Sequence, residues 1–368
     1  MKIGILTFHN VPNYGAVLQA FALKTYLSKY SNDVKIINFK CKGNDDCFSP
    51  NNWKKLLSIS SNPVKGFVKK LLYNLFVSKP YKNKYEKFLE FQKKYFKMDN
   101  DIENIGLNYD LIFFGSDQIW NPKITGCYQN IYFGNFTSSN LCKKASYAAS
   151  CGSVELIKND NKFIELLKNL DYIGVREKSL CDYIVSKGLT CHCTCDPTFL
   201  LSKDEYQHMF SLCHRNNRKY ILVYELSKDP KLDILAKKLS KEKKMKIKKI
   251  CGYFGNSLRN YTGIAFCGPL EFLDLIYNSD YVITNSFHGL AYALIFEKSF
   301  WVVPPKKRAQ RLFDILDLVH LDDRVCENVD KADNFNDIDY SRANVAMQNY
   351  KTDSQKYIKQ IFEGVLNE

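Results

Sequence analysis

Short apolar segments alternate along this chain with segments of helical periodicity, and this alternation limits the fold more than any other feature. Residues 2–8 predict a strand, 9–15 a polar loop, 17–30 a helix and 34–39 a second strand. Further apolar strand segments follow at 111–114, 145–149, 172–175 and 190–195. Strands that alternate with helices in this way predict a parallel sheet covered by helices on both faces.

A second set of strands and helices begins after a polar stretch near residue 200. Strands are predicted at 219–224, 246–251, 280–284 and 300–303, and helices near 231–243, 270–278 and 290–296. A length of 368 residues also suits two domains. We therefore predict an α/β protein with two Rossmann-like doubly wound domains, at 1–205 and 215–340, followed by a C-terminal helix at 341–368.

The segment 51–100 differs from the sequence around it and is predicted to be a lysine-rich helical insertion in the first domain. It holds twelve lysines and three acidic residues. Within it, Val64–Phe76 has the pattern of a basic amphipathic helix that lies in a membrane interface. The alternative is a surface helix whose apolar side packs on the sheet.

The net charge of +14 comes mainly from lysine and does not indicate a nucleic-acid partner. Only eight of the basic residues are arginine, the residue that makes bidentate contacts to bases and phosphates, and none precedes position 176. No zinc-finger, helix-turn-helix or RNP pattern accompanies the charge. An anionic membrane surface or an anionic small substrate is the better explanation.

The cysteines and the N-terminus predict a reduced, cytoplasmic protein. Thirteen cysteines without a repeated spacing indicate free thiols, and no signal peptide or membrane-spanning run is evident. Residues 191–195 alternate cysteine with other residues, which suits buried thiols on a strand better than a zinc knuckle. Dinucleotide, P-loop and nucleophile-elbow motifs are absent from the sequence, and we expect neither a metal nor a cofactor.

Three unusual polar residues fall in loops that follow predicted strands, where open α/β sheets bind their ligands. They are Asp117, Arg176 and His288, the last beside a predicted helix N-terminus that favours anions. Each also has a structural interpretation. Asp117 suits a helix N-cap, Arg176 a surface ion pair, and His288 a capping or core position.

Six segments of the chain, in this order, resemble the bacterial polysaccharide pyruvyl transferases. Single segments are weak signals, but six in register are specific. They are NYGAVLQA at 13–20, GSDQIWNP at 115–122, SYAAS at 146–150, VREKS at 175–179, CDPT at 195–198 and ITNSFHG at 283–289.

The resemblance implies a fold similar to the GT-B glycosyltransferases, with the active site in the interdomain cleft. It also implies transfer of pyruvate from phosphoenolpyruvate to two sugar hydroxyls as a cyclic ketal, with release of phosphate. The catalytic histidine of the family falls on His288 and its donor-binding arginine on Arg176. Many members have an arginine where this chain has Ser286. We expect either Arg308 or Arg311 to supply that charge, or the donor to be bound in a different way. Asn285, Ser286 and Gly289 complete the expected donor site.

For the acceptor, Asp117 is the candidate for orienting or deprotonating a hydroxyl, because ketal formation needs general acid and base groups. Asn10, Asn13, Gln118 and Tyr147, in the same set of loops, are the expected acceptor contacts. The expected acceptor is an oligosaccharide linked to undecaprenyl diphosphate, a precursor of capsule, exopolysaccharide or cell-wall polymer. The enzyme would then work at the inner face of the cell membrane.

Two other functions fit the same architecture. One is a GT-B glycosyltransferase with a nucleotide-sugar donor, which predicts an acidic residue at the ribose and stabilisation by UDP or GDP. The other is an inactive adaptor that reaches a membrane assembly through Val64–Phe76, which predicts membrane binding without turnover. The loop motifs favour the pyruvyl transferase, because fold alone does not distinguish these functions.

Overall fold

The structure, a computed structural model, describes residues 1–41, 79–138, 142–214, 219–251, 267–305, 309–332 and 335–367. The strands are β1 Lys2–Leu6, β2 Asp33–Ile37, β3 Met98–Asp99, β4 Leu111–Phe114, β5 Lys143–Ser146, β6 Gly174–Val175, β7 His192–Cys193, β8 Tyr220–Glu225, β9 Lys246–Cys251, β10 Tyr281–Thr284 and β11 Ser299–Val302. The helices are α1 Tyr14–Leu27, α2 Lys79–Tyr95, α3 Ile105–Asn108, α4 Pro122–Thr125, α5 Asn161–Leu167, α6 Lys178–Ser186, α7 Lys203–Phe210, α8 Pro230–Lys243, α9 Pro269–Tyr277, α10 Phe287–Ile295, α11 Gln310–Leu318 and α12 Ser341–Leu366.

Two parallel sheets carry the fold, and they confirm the predicted pair of Rossmann-like domains. The first has the strand order β3-β2-β1-β4-β5, and the second the order β11-β10-β8-β9. Strands β6 and β7 pair with each other in parallel, and two single bridges link this pair to the region of β5. The predicted domain boundary falls between β7 and β8.

Side chains on both faces of the central strands are buried, as expected for parallel sheets. In β4, Leu111 and Phe113 belong to one apolar core, and Ile112 and Phe114 belong to another. Strand β8 likewise divides its side chains between two cores. One of these cores includes side chains from both sheets, so the two domains share apolar packing.

Contacts from α1 and α12 join the two domains around the strand ends. The ring of Tyr14 stacks on Phe272 with 4.4 Å between centroids, and the Tyr14 hydroxyl donates to the carbonyl of Cys267. In α12, Tyr357 donates to the carbonyl of Ser146 in the first domain. Tyr340, directly before α12, donates to the carbonyl of Lys298 in the second. These contacts place the carboxyl ends of the strands of both domains around one interdomain region.

Helix starts differ from the sequence predictions in a way that changes the site. Helix α1 begins at Tyr14 because Asn13 is its N-cap, and α10 begins at Phe287 because Ser286 is its N-cap. The sequence predicts these starts at 17 and 290, because the polar and small residues of a first turn do not follow the apolar periodicity of a helix. His288 therefore lies in the first turn of a helix and not in the loop before it.

The predicted insertion at 51–100 is described only in its last part, where α2 and the edge strand β3 lie. Phe88 and Phe91 of α2 are buried against the shared core. The amphipathic segment Val64–Phe76 lies outside the described residues. Among the helices that the structure describes, none combines the length and the apolar character needed to cross a membrane.

Helix α12 offers a test of the interdomain packing. Ile358 is fully buried, whereas Val345 on the same helix is 63% exposed. We expect Ile358→Ala to lower the free energy of unfolding by about 2–5 kcal/mol, because it leaves a cavity in the core. Val345→Ala, the matched control, should change it by less than about 0.5 kcal/mol. Urea denaturation measures both, and equal effects would show that α12 does not pack as described.

Candidate active site

Four charged side chains and one histidine, from both domains, meet at the carboxyl ends of the strands. Asp117 follows β4, Arg176 follows β6, Asp196 follows β7, His288 follows β10, and Arg311 reaches the same place from α11. Parallel strands present their carboxyl ends at one edge of a sheet, which is why residues far apart in sequence come together here. Asp117, Arg176 and His288, singled out from the sequence, do lie in one cluster.

Asp196 is the centre of this cluster and is completely buried. Its Oδ2 accepts a hydrogen bond of 2.8 Å from Arg176 Nη1 and lies 3.7 Å from His288 Nε2. Its Oδ1 accepts from the backbone N–H and the hydroxyl of Thr198. One carboxylate therefore fixes an arginine of the first domain and faces a histidine of the second.

The charges of this cluster stabilise one another. Burial by itself would raise the pKa of the Asp196 carboxyl, but His288, Arg176 and the Thr198 amide hold that pKa well below its ordinary value. For Arg176, burial acts to lower the pKa of the guanidinium. The carboxylates of Glu177, Asp196 and Asp117 outweigh it, so that this pKa is raised. Both groups are consequently charged at neutral pH.

Glu177 lies beside both arginines. Its Oε1 is 3.5 Å from Arg176 Nε and 4.0 Å from Arg311 Nε, and the same oxygen accepts a hydrogen bond from the hydroxyl of Ser150. Burial, followed by the nearby positive charge of Arg176, lowers the pKa of Arg311 to about 10 against the opposing effect of Glu177. Arg311 therefore remains positively charged at pH 7.

Gly15 allows the imidazole of His288 to contact the first turn of α1. A Cβ atom at position 15 would lie 2.1 Å from His288 Nδ1, which is too close for any residue other than glycine. Nδ1 of His288 thus faces the backbone of α1 in the first domain, while Nε2 faces Asp196. The ring is held between the two domains.

Asp117 has a left-handed backbone conformation, with φ of 72°. Its Oδ1 accepts from the N–H of Gln118 and lies 4.0 Å from Arg176 Nη2. The side chain is 17% exposed, more than the other carboxylates of the cluster. Positive φ is energetically unfavourable for a residue other than glycine, so the surrounding structure must stabilise it. Such residues are frequent at functional sites.

The polar groups before α10 mainly build the loop. Asn285 accepts from the N–H of Leu226 and donates to the carbonyl of Ser227, and the Ser286 hydroxyl caps the N–H of Gly289. A Cβ at Gly289 would lie 2.4 Å from Thr284 Oγ1, so glycine lets α10 pack closely on the sheet. Direct donor contact by Asn285, Ser286 and Gly289 stays a prediction. Arg308 lies outside the described residues.

The expected acceptor residues have different surroundings. Asn10 is half-buried in the loop after β1, Asn13 caps α1, and Gln118 is buried and accepts from the side chain of Asn121. Tyr147 requires a correction, because it is fully buried in the core with its hydroxyl 3.4 Å from Cys195 Sγ. An acceptor sugar cannot reach that hydroxyl, so we no longer include Tyr147 in the acceptor site.

Several buried polar atoms of the cluster have no hydrogen-bond partner among the described residues. They are Arg176 Nε and Nη2, Glu177 Oε2, His288 Nε2 and Arg311 Nε. Buried polar groups are normally paired, so a concentration of unpaired ones in one place indicates a site that a polar ligand completes. Within the part of the chain that the structure describes, no group of three or more His, Cys, Asp or Glu side chains is arranged to hold a metal ion.

Comparison with known sequences identifies the family. The sequence model of the family described as "Polysaccharide pyruvyl transferase" matches residues 13–307, which is most of the chain and includes Asp117, Arg176, Asp196 and His288. The chain belongs to the polysaccharide pyruvyl transferase family. No curated protein matches the chain in sequence.

Solved structures that resemble this chain in fold include epimerases and glycosyltransferases, and their sequence identity to it is low. The UDP-GlcNAc 2-epimerase of Methanocaldococcus jannaschii is 12% identical, with a TM-score of 0.48 over 99% of each chain. The spinosyn forosaminyltransferase SpnP is 10% identical, with a TM-score of 0.47 over 100% of this chain and 99% of its own. The E. coli heptosyltransferase WaaC with ADP is 10% identical, with a TM-score of 0.38 over 84% of this chain and 89% of its own.

In this pyruvyl transferase family member, sequence reasoning did not identify every residue of the site. Asp196, Gly15 and Phe287 lie in the matching segments, but the sequence indicates no role for them. Glu177 is indicated only as an ion-pair partner of Arg176. An Asp-Pro pair directly after a predicted strand was the one signal for Asp196. The carboxylates that contact one arginine come from loops that are far apart in the sequence. Their spacing along the chain therefore does not show that they meet.

Because of Asp196, the free energy of unfolding of this family member should decrease as the pH becomes acidic. Because the pKa of this carboxyl is lowered in the folded state, it stabilises the protein above the ordinary pKa of aspartate, about 3.9, and this contribution is lost as the pH falls further. We expect Asp196→Asn to be less stable at pH 7 and to have a weaker dependence on pH between 5 and 3.

Urea denaturation across that pH range measures the effect. Asp353→Asn is the matched control, because the Asp353 side chain is 69% exposed on α12. The control should follow the wild-type curve. An Asp196→Asn curve parallel to the wild type at every pH would contradict the buried charge pair.

Proposed function

We propose that this protein transfers pyruvate from phosphoenolpyruvate to two hydroxyls of a sugar, forming a cyclic ketal and releasing phosphate. The observation that carries the proposal is the convergence of Arg176, Arg311 and His288 in a family member, with unpaired buried nitrogen atoms on all three. Two guanidinium groups and an imidazole together suit a small substrate with several negative charges.

Phosphoenolpyruvate carries a carboxylate and a phosphate, so its binding needs more than one cation. Arg176 uses Nη1 for Asp196, and its buried Nη2 has no hydrogen bond to another described residue. The Nε of Arg311 lies 4.0 Å from Glu177 Oε1, and its guanidinium stays charged at neutral pH. In the proposal, Arg176 Nη2 and the Arg311 guanidinium bind the two anionic groups of the donor.

The proposed reaction has two steps. A general acid protonates the methylene carbon of the donor while one sugar hydroxyl adds to the adjacent carbon and loses its proton to a base. A second hydroxyl then attacks the same carbon and loses its proton. The bond between that carbon and the phosphate oxygen breaks, and phosphate leaves with its electron pair and takes up that proton. Imidazole suits proton transfer in both directions. We assign this role to His288, whose ring Asp196 and Gly15 hold in one orientation.

Asp117 is the proposed group that orients or deprotonates the acceptor hydroxyl. It is the most exposed carboxylate of the cluster and lies near Arg176 Nη2, the proposed donor contact. A hydroxyl bound to Asp117 would therefore be next to the donor. Asn10, Asn13 and Gln118 lie in the surrounding loops of the first domain and are the proposed sugar contacts.

The acceptor that we propose is an oligosaccharide on undecaprenyl diphosphate, used for capsule, exopolysaccharide or cell-wall polymer. The lysine surplus of the segment 51–100 supports it, because twelve lysines against three acidic residues attract a lipid diphosphate or an anionic membrane surface. The protein would act in the cytoplasm, at the inner face of the membrane.

Phosphate release from phosphoenolpyruvate, with a panel of lipid-linked oligosaccharides, tests this function. The wild type should release one phosphate for each ketal formed with at least one acceptor. His288→Gln should lower kcat by about 100-fold or more, because it removes the proton donor and acceptor. His208→Gln, at an exposed position of α7, is the matched control and should keep wild-type activity.

One result would contradict the function, and another the role of His288. One is the absence of phosphate release with every acceptor, combined with stabilisation of the protein by UDP or GDP. The other is near wild-type phosphate release by His288→Gln. The first would favour a nucleotide-sugar glycosyltransferase, and the second would remove His288 from the chemistry.

Asp117→Asn separates the acceptor from the donor. An amide keeps the shape of the side chain but cannot accept a proton, so we expect a fall in kcat of about 10²-fold or more. The KM for phosphoenolpyruvate should change little, because that substrate is bound by the arginines. Steady-state kinetics with each substrate varied in turn measures both effects. Asp182→Asn on the exposed face of α6 is the control, and an unchanged acceptor KM and rate for Asp117→Asn would exclude the role.

A further inference from the structure

Phe287 contacts both arginines of the site. The Cζ atom of Arg176 lies 5.4 Å from the centroid of the Phe287 ring, and that of Arg311 lies 5.7 Å from it. The two arginines come from different parts of the chain, since Arg176 follows β6 of the first domain and Arg311 lies on α11 of the second. Two guanidinium groups therefore share a single aromatic ring.

Phe287 is held by the start of a helix and by contacts with two neighbouring rings. It is the first residue of α10, whose N-cap is Ser286. Its ring meets His288 edge to face at 5.3 Å and Phe199 edge to face at 6.5 Å. The ring itself is only half-buried, so it is at the border of the site and not inside a core. A fixed ring at this place can define where flexible arginine side chains lie.

Arg311 depends on this ring more than Arg176 does. Arg176 has a direct hydrogen bond to Asp196, whereas Arg311 Nε lies 4.0 Å from Glu177 Oε1. That Nε has no hydrogen bond to another described residue. Arg176 also repels Arg311, which is one reason that the pKa of Arg311 is lowered to about 10. The face of an aromatic ring attracts a cation and partly offsets such repulsion.

We propose that Phe287 is a positioning residue that holds the guanidinium groups of Arg176 and Arg311 together as a two-point clamp for a phosphate-bearing anion. This inference rests on the proposed function, in which phosphoenolpyruvate is that anion. Ser286 cannot bring a charge to this loop, and its hydroxyl caps Gly289. In the proposal, the neighbouring ring of Phe287 holds Arg311 of α11 at the site, and Arg311 supplies the positive charge that Ser286 lacks.

The alternative is that Phe287 only fills space, and two substitutions distinguish the roles. Leucine at position 287 keeps the apolar bulk but has no aromatic face, whereas tyrosine keeps the face. Isothermal titration with inorganic phosphate and, separately, with phosphoenolpyruvate measures the clamp directly in the full-length protein. Phe287→Leu should raise Kd for both anions by about 10-fold, and Phe287→Tyr should restore binding to within about 3-fold of the wild type.

Kinetics and a double-mutant cycle complete the test. Phe287→Leu should raise the KM for phosphoenolpyruvate by about the same factor as Kd, with little change in kcat. In an Arg311→Ala background the Phe287→Leu penalty should become smaller, because the ring acts through Arg311. Phe210→Leu, which replaces a half-buried ring that packs against Phe21 and Tyr95, is the matched control and should bind both anions as the wild type does.

The outcomes separate this inference from the proposed function. Phosphate binding by the wild type, weakened in Phe287→Leu and restored in Phe287→Tyr, supports the clamp even if no acceptor yields turnover. Unchanged binding in Phe287→Leu, equal losses in the leucine and tyrosine variants, or full additivity with Arg311→Ala would overturn it. It would also be overturned if the wild type bound neither anion, or if Phe287→Leu lowered kcat alone.

Discussion

The buried carboxylate of Asp196 is the interaction on which the rest of the site depends. A charged group without partners is strongly disfavoured in the interior of a protein. Asp196 is stable there because Arg176 and Thr198 hydrogen-bond to it and His288 faces it at 3.7 Å. Since His288 belongs to the second domain, the arrangement is complete only when the two domains pack. The contacts of α1 and α12 that join the domains therefore also assemble the site.

The same arrangement leaves the site ready for a ligand. Asp196 uses one nitrogen of Arg176, and the adjacent Nη2 stays buried without a hydrogen bond to another described residue. Each such group costs about 1–3 kcal/mol when it is left unpaired, and a bound anion recovers that free energy. Glu177 lies beside both arginines and keeps two like charges in one place. Family membership and this pattern of unpaired cations lead to the same proposal, a phosphate-bearing pyruvyl donor.

Much of the fold could be predicted from sequence because burial on both faces leaves continuous apolar strands. Leu111–Phe114 and Lys246–Cys251 have the predicted bounds, and most other described elements differ by only a few residues. The predictions are wrong where packing or capping decides. His288 lies in α10 and not before it, because a capped first turn has no apolar periodicity. Tyr147, an expected acceptor contact, faces the core. Asp196 and Phe287 contact residues that are distant in the sequence, and local sequence cannot show such contacts.

A crystal structure of the protein with phosphoenolpyruvate tests the central claim most directly. We predict that the donor lies between the two domains, with its anionic groups on Arg176 Nη2 and the guanidinium of Arg311. Its methylene carbon should face the His288 imidazole, and the Asp196 contacts should be unchanged. Donor density at another place, or Arg176 and His288 separated from Asp196 in the bound structure, would contradict the account.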